Sequence, residues 1–109
     1  MKIPIKRFDT SIPLPEYKTN GAAAFDCPAR LAVTIPPHGT ALVPLNIALQ
    51  IPRGHCAFVQ ARSSLPKRGL MVANGVGLID EDYSGNEDEL KAFIYNFTDA
   101  PVTIEKGER

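Results

Sequence analysis

Proline and glycine are the residues that most constrain the fold of this chain. Its 109 residues include ten prolines and eight glycines, and they are spread over the whole length. The stretches between them leave no room for an amphipathic helix of ordinary length, because proline lacks a backbone N–H and both residues interrupt helices. The chain is therefore predicted to fold as short strands joined by turns.

The segments between these residues are rich in β-branched and aliphatic side chains, and several alternate apolar with polar positions. Turn-forming residues separate them, as at 36–39 and 84–86. Many short strands with regular turns are typical of an all-β sandwich, jelly roll or barrel. Strands are predicted within residues 2–7, 31–36, 40–52, 55–62, 77–79, 89–97 and 101–106.

Residues 63–69 depart from this pattern. Ser63 or Ser64 suits the start of a helical turn, Pro66 is tolerated in the first turn, and Gly69 suits its end. One short helical turn is predicted here, between strands.

Length and charge limit the class of protein. A chain of this size is expected to form one domain, residues 1–109. Twelve Lys and Arg balance twelve Asp and Glu, so no stable nucleic-acid partner is expected. We expect no membrane association and a cytoplasmic protein, because no apolar run approaches the roughly 20 residues of a membrane span and the N-terminal segment lacks the apolar core of a secretion signal. Cys27 and Cys56 are predicted to be buried small hydrophobes.

The segment ARSSLPKRGL, residues 61–70, concentrates groups that bind anions. It offers the planar fork of Arg62, the hydroxyls of Ser63 and Ser64, and the N–H groups that open a helical turn. Phosphate is the anion that this set suits best. The alternative is a capped surface turn with solvated charges.

An acidic stretch follows the predicted strand 77–79. Asp80 directly ends this strand, where a carboxylate can be partly buried and held rigidly as a general base; the alternative is a turn-forming aspartate. The run Glu87–Glu89 is predicted to be a solvated loop.

Two further residues near Asp80 have chemistry that suits a ligand. Asn74 carries a donor and an acceptor that can read the edge of an amide-like base, or it is a turn residue. Tyr83 offers a ring for a ligand to stack on, or it covers the core. Together with the anion-binding segment, these residues favour a protein that hydrolyses a nucleotide phosphate.

Three motifs resemble the signature motifs of the trimeric dUTPases, in the same order. They are AAAFDCPA (22–29), ARSSLPKRGL (61–70) and NGVGLIDEDYSG (74–85), and KGER (106–109) is similar to the opening of a fourth. The third is the most specific of them. The resemblance implies a distorted jelly roll (β-clip) assembled as a homotrimer, with active sites between subunits.

The resemblance also implies an activity: hydrolysis of dUTP to dUMP and pyrophosphate with Mg²⁺, which limits uracil in DNA and supplies dUMP for dTMP synthesis. By position, Asp80 is the base that activates water. Tyr83 stacks under the deoxyribose, and Asp26 orients waters on the metal without ligating it directly. The remaining substrate contacts implied are Arg62, Ser63 and Ser64 for the phosphates, Asn74 with the backbone of Gly77, Leu78, Ile79 and Asp80 for uracil, and Lys91 on the return strand.

The chain also departs from the family. Residues 86–91 contain an insertion, and the chain stops at Arg109, where the family continues with a further strand and a glycine-rich arm. We therefore expect a domain that lacks these C-terminal elements and belongs to a longer protein. Two alternatives stay open: a non-catalytic nucleotide-binding or interaction module on the same fold, and a dCTP deaminase-like enzyme.

Overall fold

Nine short strands and one 3₁₀ helix make up the regular structure of residues 2–109, which a computed structural model describes. The prediction of an all-β fold with one short helical turn is confirmed. In chain order the elements are β1 (Ile5–Arg7), β2 (Val33–Ile35), β3 (Thr40–Pro44), β4 (Ile47–Leu49), β5 (Ala57–Val59), the 3₁₀ helix (Pro66–Arg68), β6 (Leu70–Val72), β7 (Gly77–Ile79), β8 (Lys91–Asn96) and β9 (Val102–Ile104).

The strands pair into one three-stranded sheet and three two-stranded ribbons. The larger sheet has the order β3–β8–β6, and the ribbons are β1–β4, β2–β9 and β5–β7. Every pairing is antiparallel. Most partners are far apart in the chain, so the connections cross between sheets as they do in Greek-key folds.

The three-stranded sheet has one buried face and one exposed face. Along β8, Ala92 and Ile94 are buried while Phe93 is exposed, as the alternation of side chains along a strand requires. The exposed face is nevertheless apolar: Leu42 lies opposite Phe93 and Met71 opposite Tyr95. Leu42, Phe93 and Met71 are 56%, 41% and 43% exposed, and we call this surface the outer face.

Asn46 divides the segment 40–52, which was predicted as one strand, into β3 and β4. Its φ angle is +72°, a value that asparagine tolerates better than most residues. Its side-chain amide hydrogen-bonds the backbone N–H of Asp9 at 2.6 Å and the carbonyl of Asp9 at 3.1 Å. A buried asparagine thus turns the chain and binds the loop after β1.

Three predictions need correction: the start of the helical turn, the set of strands and the burial of the cysteines. Leu65, not Ser63 or Ser64, begins the 3₁₀ helix, and no side chain caps it. Gly69 ends it as predicted, with φ +81°. β6 was missed, because residues 70–72 directly follow the glycine that ends the helix and their strand partner, β8, lies far along the chain. Cys56 is exposed whereas Cys27 is half-buried, and both thiols are free. Within residues 2–109, no helix is long and apolar enough to cross a membrane.

Candidate functional site

Asp80 lies at the end of β7, as the sequence predicted, but its surroundings differ. In the single chain it is exposed, so the prediction of partial burial is wrong. The backbone carbonyl of Asp80 accepts a 3.0 Å hydrogen bond from the N–H of Tyr83. This turn fixes the position of the Tyr83 backbone relative to the carboxylate-bearing residue.

Asn74 and Gly77 lie at the opposite end of β7. A Cβ atom on Gly77 would lie 3.3 Å from Cβ of Val59 and 3.8 Å from Nδ2 of Asn74. The first distance is tighter than an ordinary contact, so glycine lets the two strands approach with the Asn74 amide beside them. Leu78, between Gly77 and Ile79, is 58% exposed, and Ile79 packs against the core.

Tyr83 is partly exposed and is hydrogen-bonded at its polar end. The residue is 36% exposed, while its hydroxyl donates a 2.7 Å hydrogen bond to the backbone carbonyl of Glu89. Burial raises the pKa of the phenol, and the nearby carboxylates of Asp88 and Glu89 raise it further. The ring is therefore tethered at its polar end and open to a ligand over part of its surface.

The carboxylate of Asp26 brings together two of the other motifs. Its oxygens lie 3.5 Å from Nε of Arg62 and 3.9 Å from a terminal guanidinium nitrogen of Arg109. The last residues reach this place because Gly107 and Glu108 exchange backbone hydrogen bonds of 2.7 and 2.8 Å with Ala29. One carboxylate and two guanidinium groups thus form a cluster that suits a polyanion.

The 3₁₀ helix is anchored to the same C-terminal residues. The guanidinium of Arg68 donates to the carboxylate of Glu108 and, at 2.7 Å, to the carbonyl of Thr103. Ser63 and Ser64 are exposed in the turn that precedes the helix. Their hydroxyls are accessible next to Arg62, as phosphate binding would require.

Lys91 opens β8 on the outer face of the three-stranded sheet. It is exposed and lies opposite Pro44, so it belongs to the surface that carries Phe93. The structure does not bring it into the Asp26 cluster.

The β5–β7 ribbon separates the candidate base from the anion-binding cluster. Its register pairs Ala57 with Ile79 and Val59 with Gly77. Asp80 therefore leaves one end of the ribbon, while the chain runs toward Arg62 from the other end. Three residues of a strand rise about 10 Å, so the two groups face different ends of one ribbon.

Glu89 contradicts the prediction that residues 87–89 form a solvated loop. Its side chain is 7% exposed, whereas that of Glu87 is 86% exposed. Its carboxylate accepts two hydrogen bonds from Arg30, of 2.7 and 3.0 Å, and one of 3.0 Å from the N–H of Asn46. The ion pair raises the pKa of Arg30. A local run of acids could not reveal this partner, which lies 59 positions away.

The described residues suit a magnesium ion that keeps most of its waters. Within residues 2–109 no group of three or more His, Cys, Asp and Glu side chains could hold a metal ion. Mg²⁺ commonly uses one or two carboxylates, several waters and substrate phosphates. Asp26, 28% exposed and beside two guanidinium groups, fits a carboxylate that contacts such waters.

Comparison with known proteins places this geometry in a family. Residues 10–109 match the family model described as dUTPase. The deoxyuridine 5'-triphosphate nucleotidohydrolase of Dictyoglomus turgidum is 37% identical over 114 residues, which cover 100% of this chain and 76% of that protein.

Solved structures agree with the sequence matches. The crystal structure of dUTPase from Streptococcus mutans superposes with a TM-score of 0.86 at 32% identity, covering 96% of this chain and 88% of that one. A mutant dUTPase from phage phi11 of S. aureus, described as coordinating a structural Mg(II) ion, gives a TM-score of 0.78 at 22% identity over 90% of this chain and 61% of that one; this likeness bears on the fold alone. The jelly-roll prediction is thereby confirmed, and the chain belongs to the dUTPase family.

Proposed function

We propose that this chain is a dUTP diphosphatase, which hydrolyses dUTP to dUMP and pyrophosphate. The observation that carries the proposal is the grouping of three side chains around β7. Asn74 and Gly77 lie at its start, Asp80 at its end, and Tyr83 is hydrogen-bonded to the backbone of Asp80. A base reader, a carboxylate for the α-phosphorus and a partly exposed ring for the sugar thus lie within one short segment of the chain.

Asp80 is the general base of the reaction. Its carboxylate accepts a proton from a water molecule, whose oxygen attacks the α-phosphorus in line with the leaving group. The bond from this phosphorus to the oxygen that bridges to the β-phosphate breaks, and pyrophosphate leaves. A positioned base contributes roughly 10²–10⁴-fold to rate, and holding the two reactants in place contributes the rest.

The phosphate chain is held by Arg62, Ser63 and Ser64. Arg62 offers a planar fork, and the neighbouring hydroxyls offer short hydrogen bonds. When bound to the triphosphate, Mg²⁺ supplies neutralisation of its charge. Asp26 would contact the waters of this ion, and its carboxylate pairs with the guanidinium of Arg62.

Selectivity has a steric part and a hydrogen-bonding part. The ring of Tyr83 stacks under the deoxyribose and leaves no room for a 2′-hydroxyl. Asn74 and the backbone of residues 77–80 hydrogen-bond the uracil edge, so a cytosine would leave polar groups unpaired. Lys91 is a further substrate contact.

We also propose a homotrimer with active sites between subunits. A nucleotide read at Asn74 with its α-phosphorus at Asp80 directs its phosphates away from the end of the β5–β7 ribbon where Arg62 of the same chain lies. A second copy would supply the cluster around Asp26. The apolar outer face around Leu42 and Phe93 is suited to contact other copies, since exposed apolar patches often mark interfaces.

The cytoplasm is the proposed location. Both thiols are free, as is usual in a reducing compartment. There the activity would limit uracil in DNA and supply dUMP for dTMP synthesis.

Pyrophosphate release from dUTP, dCTP, dTTP and UTP with Mg²⁺ tests the function. We expect turnover of dUTP, with the other three nucleotides hydrolysed far more slowly. Asp80→Ala serves as the inactive control. Release of ammonia from dCTP would instead indicate a deaminase, and binding of dUTP without turnover would indicate a non-catalytic module.

A further inference from the structure

The hydroxyl of Tyr83 is held by a residue that nothing in the local sequence links to it. It donates to the backbone carbonyl of Glu89 at 2.7 Å. The loop between them is closed by Asp88, whose carboxylate accepts the N–H of Gly85 at 2.9 Å and whose own N–H donates to the Gly85 carbonyl at 3.1 Å. The position of the Glu89 carbonyl therefore determines where the phenol end of the ring lies.

The Glu89 backbone is in turn fixed by its own side chain. Arg30 grips the carboxylate with two hydrogen bonds, and the N–H of Asn46 completes a set of three donors. The next residue, Leu90, exchanges backbone hydrogen bonds of 2.8 and 2.9 Å with Ile47 and Leu45. The carbonyl that accepts from Tyr83 thus sits on a segment anchored on both sides.

An ion pair between a buried carboxylate and a half-buried guanidinium is a weak source of stability. Desolvation of two charges offsets much of their attraction, and apolar side chains of similar volume often stabilise as well or better. The pair instead fixes the orientation of Glu89, because a bidentate guanidinium–carboxylate contact allows few orientations. The backbone carbonyl of Glu89 in turn holds the hydroxyl of Tyr83, a residue that is 36% exposed.

We propose that Glu89 and Arg30 are positioning residues, which hold the ring of Tyr83 where it selects deoxyribose over ribose; this rests on the proposed function. Neither residue touches the substrate. They keep the ring of Tyr83 from moving aside to accommodate the 2′-hydroxyl of a ribonucleotide.

The test compares selectivity for dUTP over UTP, as the ratio of the two kcat/KM values. We expect Tyr83→Phe and Glu89→Gln each to lower this ratio about 5- to 20-fold, the usual worth of a hydrogen bond to a charged or buried group. The change should lie mainly in KM, since Asp80 keeps its place. Glu87→Gln is the matched control: its carboxylate is 86% exposed on the same loop, and we expect a change within about 2-fold.

A double variant separates positioning from general destabilisation. If Glu89 acts through the Tyr83 hydroxyl, Glu89→Gln combined with Tyr83→Phe should cost no more than either change alone. Additive losses would overturn the proposal, as would a folded Glu89→Gln protein with wild-type selectivity. Arg30→Lys, which keeps the charge but not the bidentate contact, gives the same test should Glu89→Gln fail to fold, and unchanged selectivity in it would likewise count against the pair.

A second readout does not depend on turnover. The chain has three tyrosines and no tryptophan, so Tyr17→Phe with Tyr95→Phe leaves Tyr83 as the fluorescent reporter. In that background we expect Glu89→Gln to lower the tyrosine anisotropy and to raise quenching by acrylamide about 2-fold or more, because weakening of the 2.7 Å hydrogen bond releases the polar end of the ring. Absence of dUTP hydrolysis in the unmodified chain would refute the proposed function, while unchanged fluorescence in the variant would refute the positioning role.

Discussion

The Nε atom of Arg62 lies 3.5 Å from a carboxylate oxygen of Asp26, so the first and second motifs of the chain meet at one ion pair. The other carboxylate oxygen lies 3.9 Å from the guanidinium of Arg109. One negative charge between two cations keeps both of them close without neutralising them fully. The net positive charge left over is what a triphosphate would meet.

Replacement of Asp26 by Asn tests this arrangement. The amide keeps the shape but removes the charge that pairs with Arg62 and that, in the proposed site, would contact the waters of Mg²⁺. We expect the Mg²⁺ concentration for half-maximal pyrophosphate release to rise about 3- to 5-fold, since partly exposed ion pairs contribute at most about 1 kcal/mol. Asp99→Asn, on an exposed carboxylate that pairs with His38 instead, should leave it unchanged. An unaltered Mg²⁺ dependence in Asp26→Asn would remove this residue from the metal's surroundings.

Replacement of Asp80 by alanine tests its proposed role as the general base. We expect Asp80→Ala to lower kcat for dUTP by roughly 10²–10⁴-fold, the usual contribution of a general base, with dUTP binding largely kept. Binding is measured separately by calorimetry on the inactive variant. Asp82→Ala, two residues away in the same turn, is the control. A loss below about 5-fold, well under that range, would exclude the assigned role.

Local pattern explains which parts of the fold could be predicted. The alternation along β8 and the turn residues between strands depend on neighbours in sequence, so these elements were found. Asn46 and Glu89 were misjudged because their roles depend on Asp9 and Arg30, which lie far away in the chain. The residues next to Asn46 and Glu89 in the sequence do not indicate which distant residue each will contact.

The site shows the same division between local and distant information. Its individual residues could be named from motifs, since Asp80, Tyr83 and Asn74 stand within one short segment. The meeting of Asp26, Arg62 and Arg109 could not, because backbone pairing of Ala29 with the last residues brings it about. The exposure of Asp80 also differs from expectation, since its position at the end of β7 does not by itself bury it.

Removal of the Tyr83 ring should affect the sugar more than the base. We expect Tyr83→Ala to lower the dUTP-to-UTP selectivity roughly 5- to 150-fold, the equivalent of about 1–3 kcal/mol for an aromatic stacking contact. Discrimination against dCTP should persist, because it depends on Asn74 and the backbone of β7. Tyr17→Ala provides a comparable loss of an exposed ring, 59% exposed and in edge contact with Phe25. Equal ratios in the unmodified chain and Tyr83→Ala would contradict the stacking assignment.

Phe93 tests the interface. A glutamate at this position would place a charge on the outer face next to Leu42, its cross-strand partner, where burial against another copy would cost several kcal/mol. We expect Phe93→Glu to shift the sedimentation profile from trimer to monomer and to abolish pyrophosphate release in parallel. Thr34→Glu, on the exposed side of β2, should do neither. A fully active monomeric Phe93→Glu protein would show that one chain completes the site.

The lowered pKa of Asp9 predicts how the free energy of unfolding depends on pH. Hydrogen bonds from the Ser11 hydroxyl, from Lys106 and from the Ser11 backbone lower the pKa of this carboxyl from 3.8 to about 2; the contacts measure 2.6, 3.0 and 2.9 Å. The pKa is lowered because the ionised carboxylate is stabilised by these partners in the folded state and not in the unfolded state. The stabilisation is therefore complete above about pH 4 and is lost as the pH falls toward 2.

Urea unfolding of the unmodified chain and of Asp9→Asn, measured between pH 6 and pH 2, gives the test. The asparagine cannot ionise, so the gap in unfolding free energy between the two proteins should be constant near pH 6 and should narrow steadily below about pH 4. Asp82→Asn, on an exposed carboxylate, should follow the unmodified chain throughout. A gap that stays constant down to pH 2 would show that Asp9 contributes shape to the β1–β4 corner, where it also binds Asn46, and not charge.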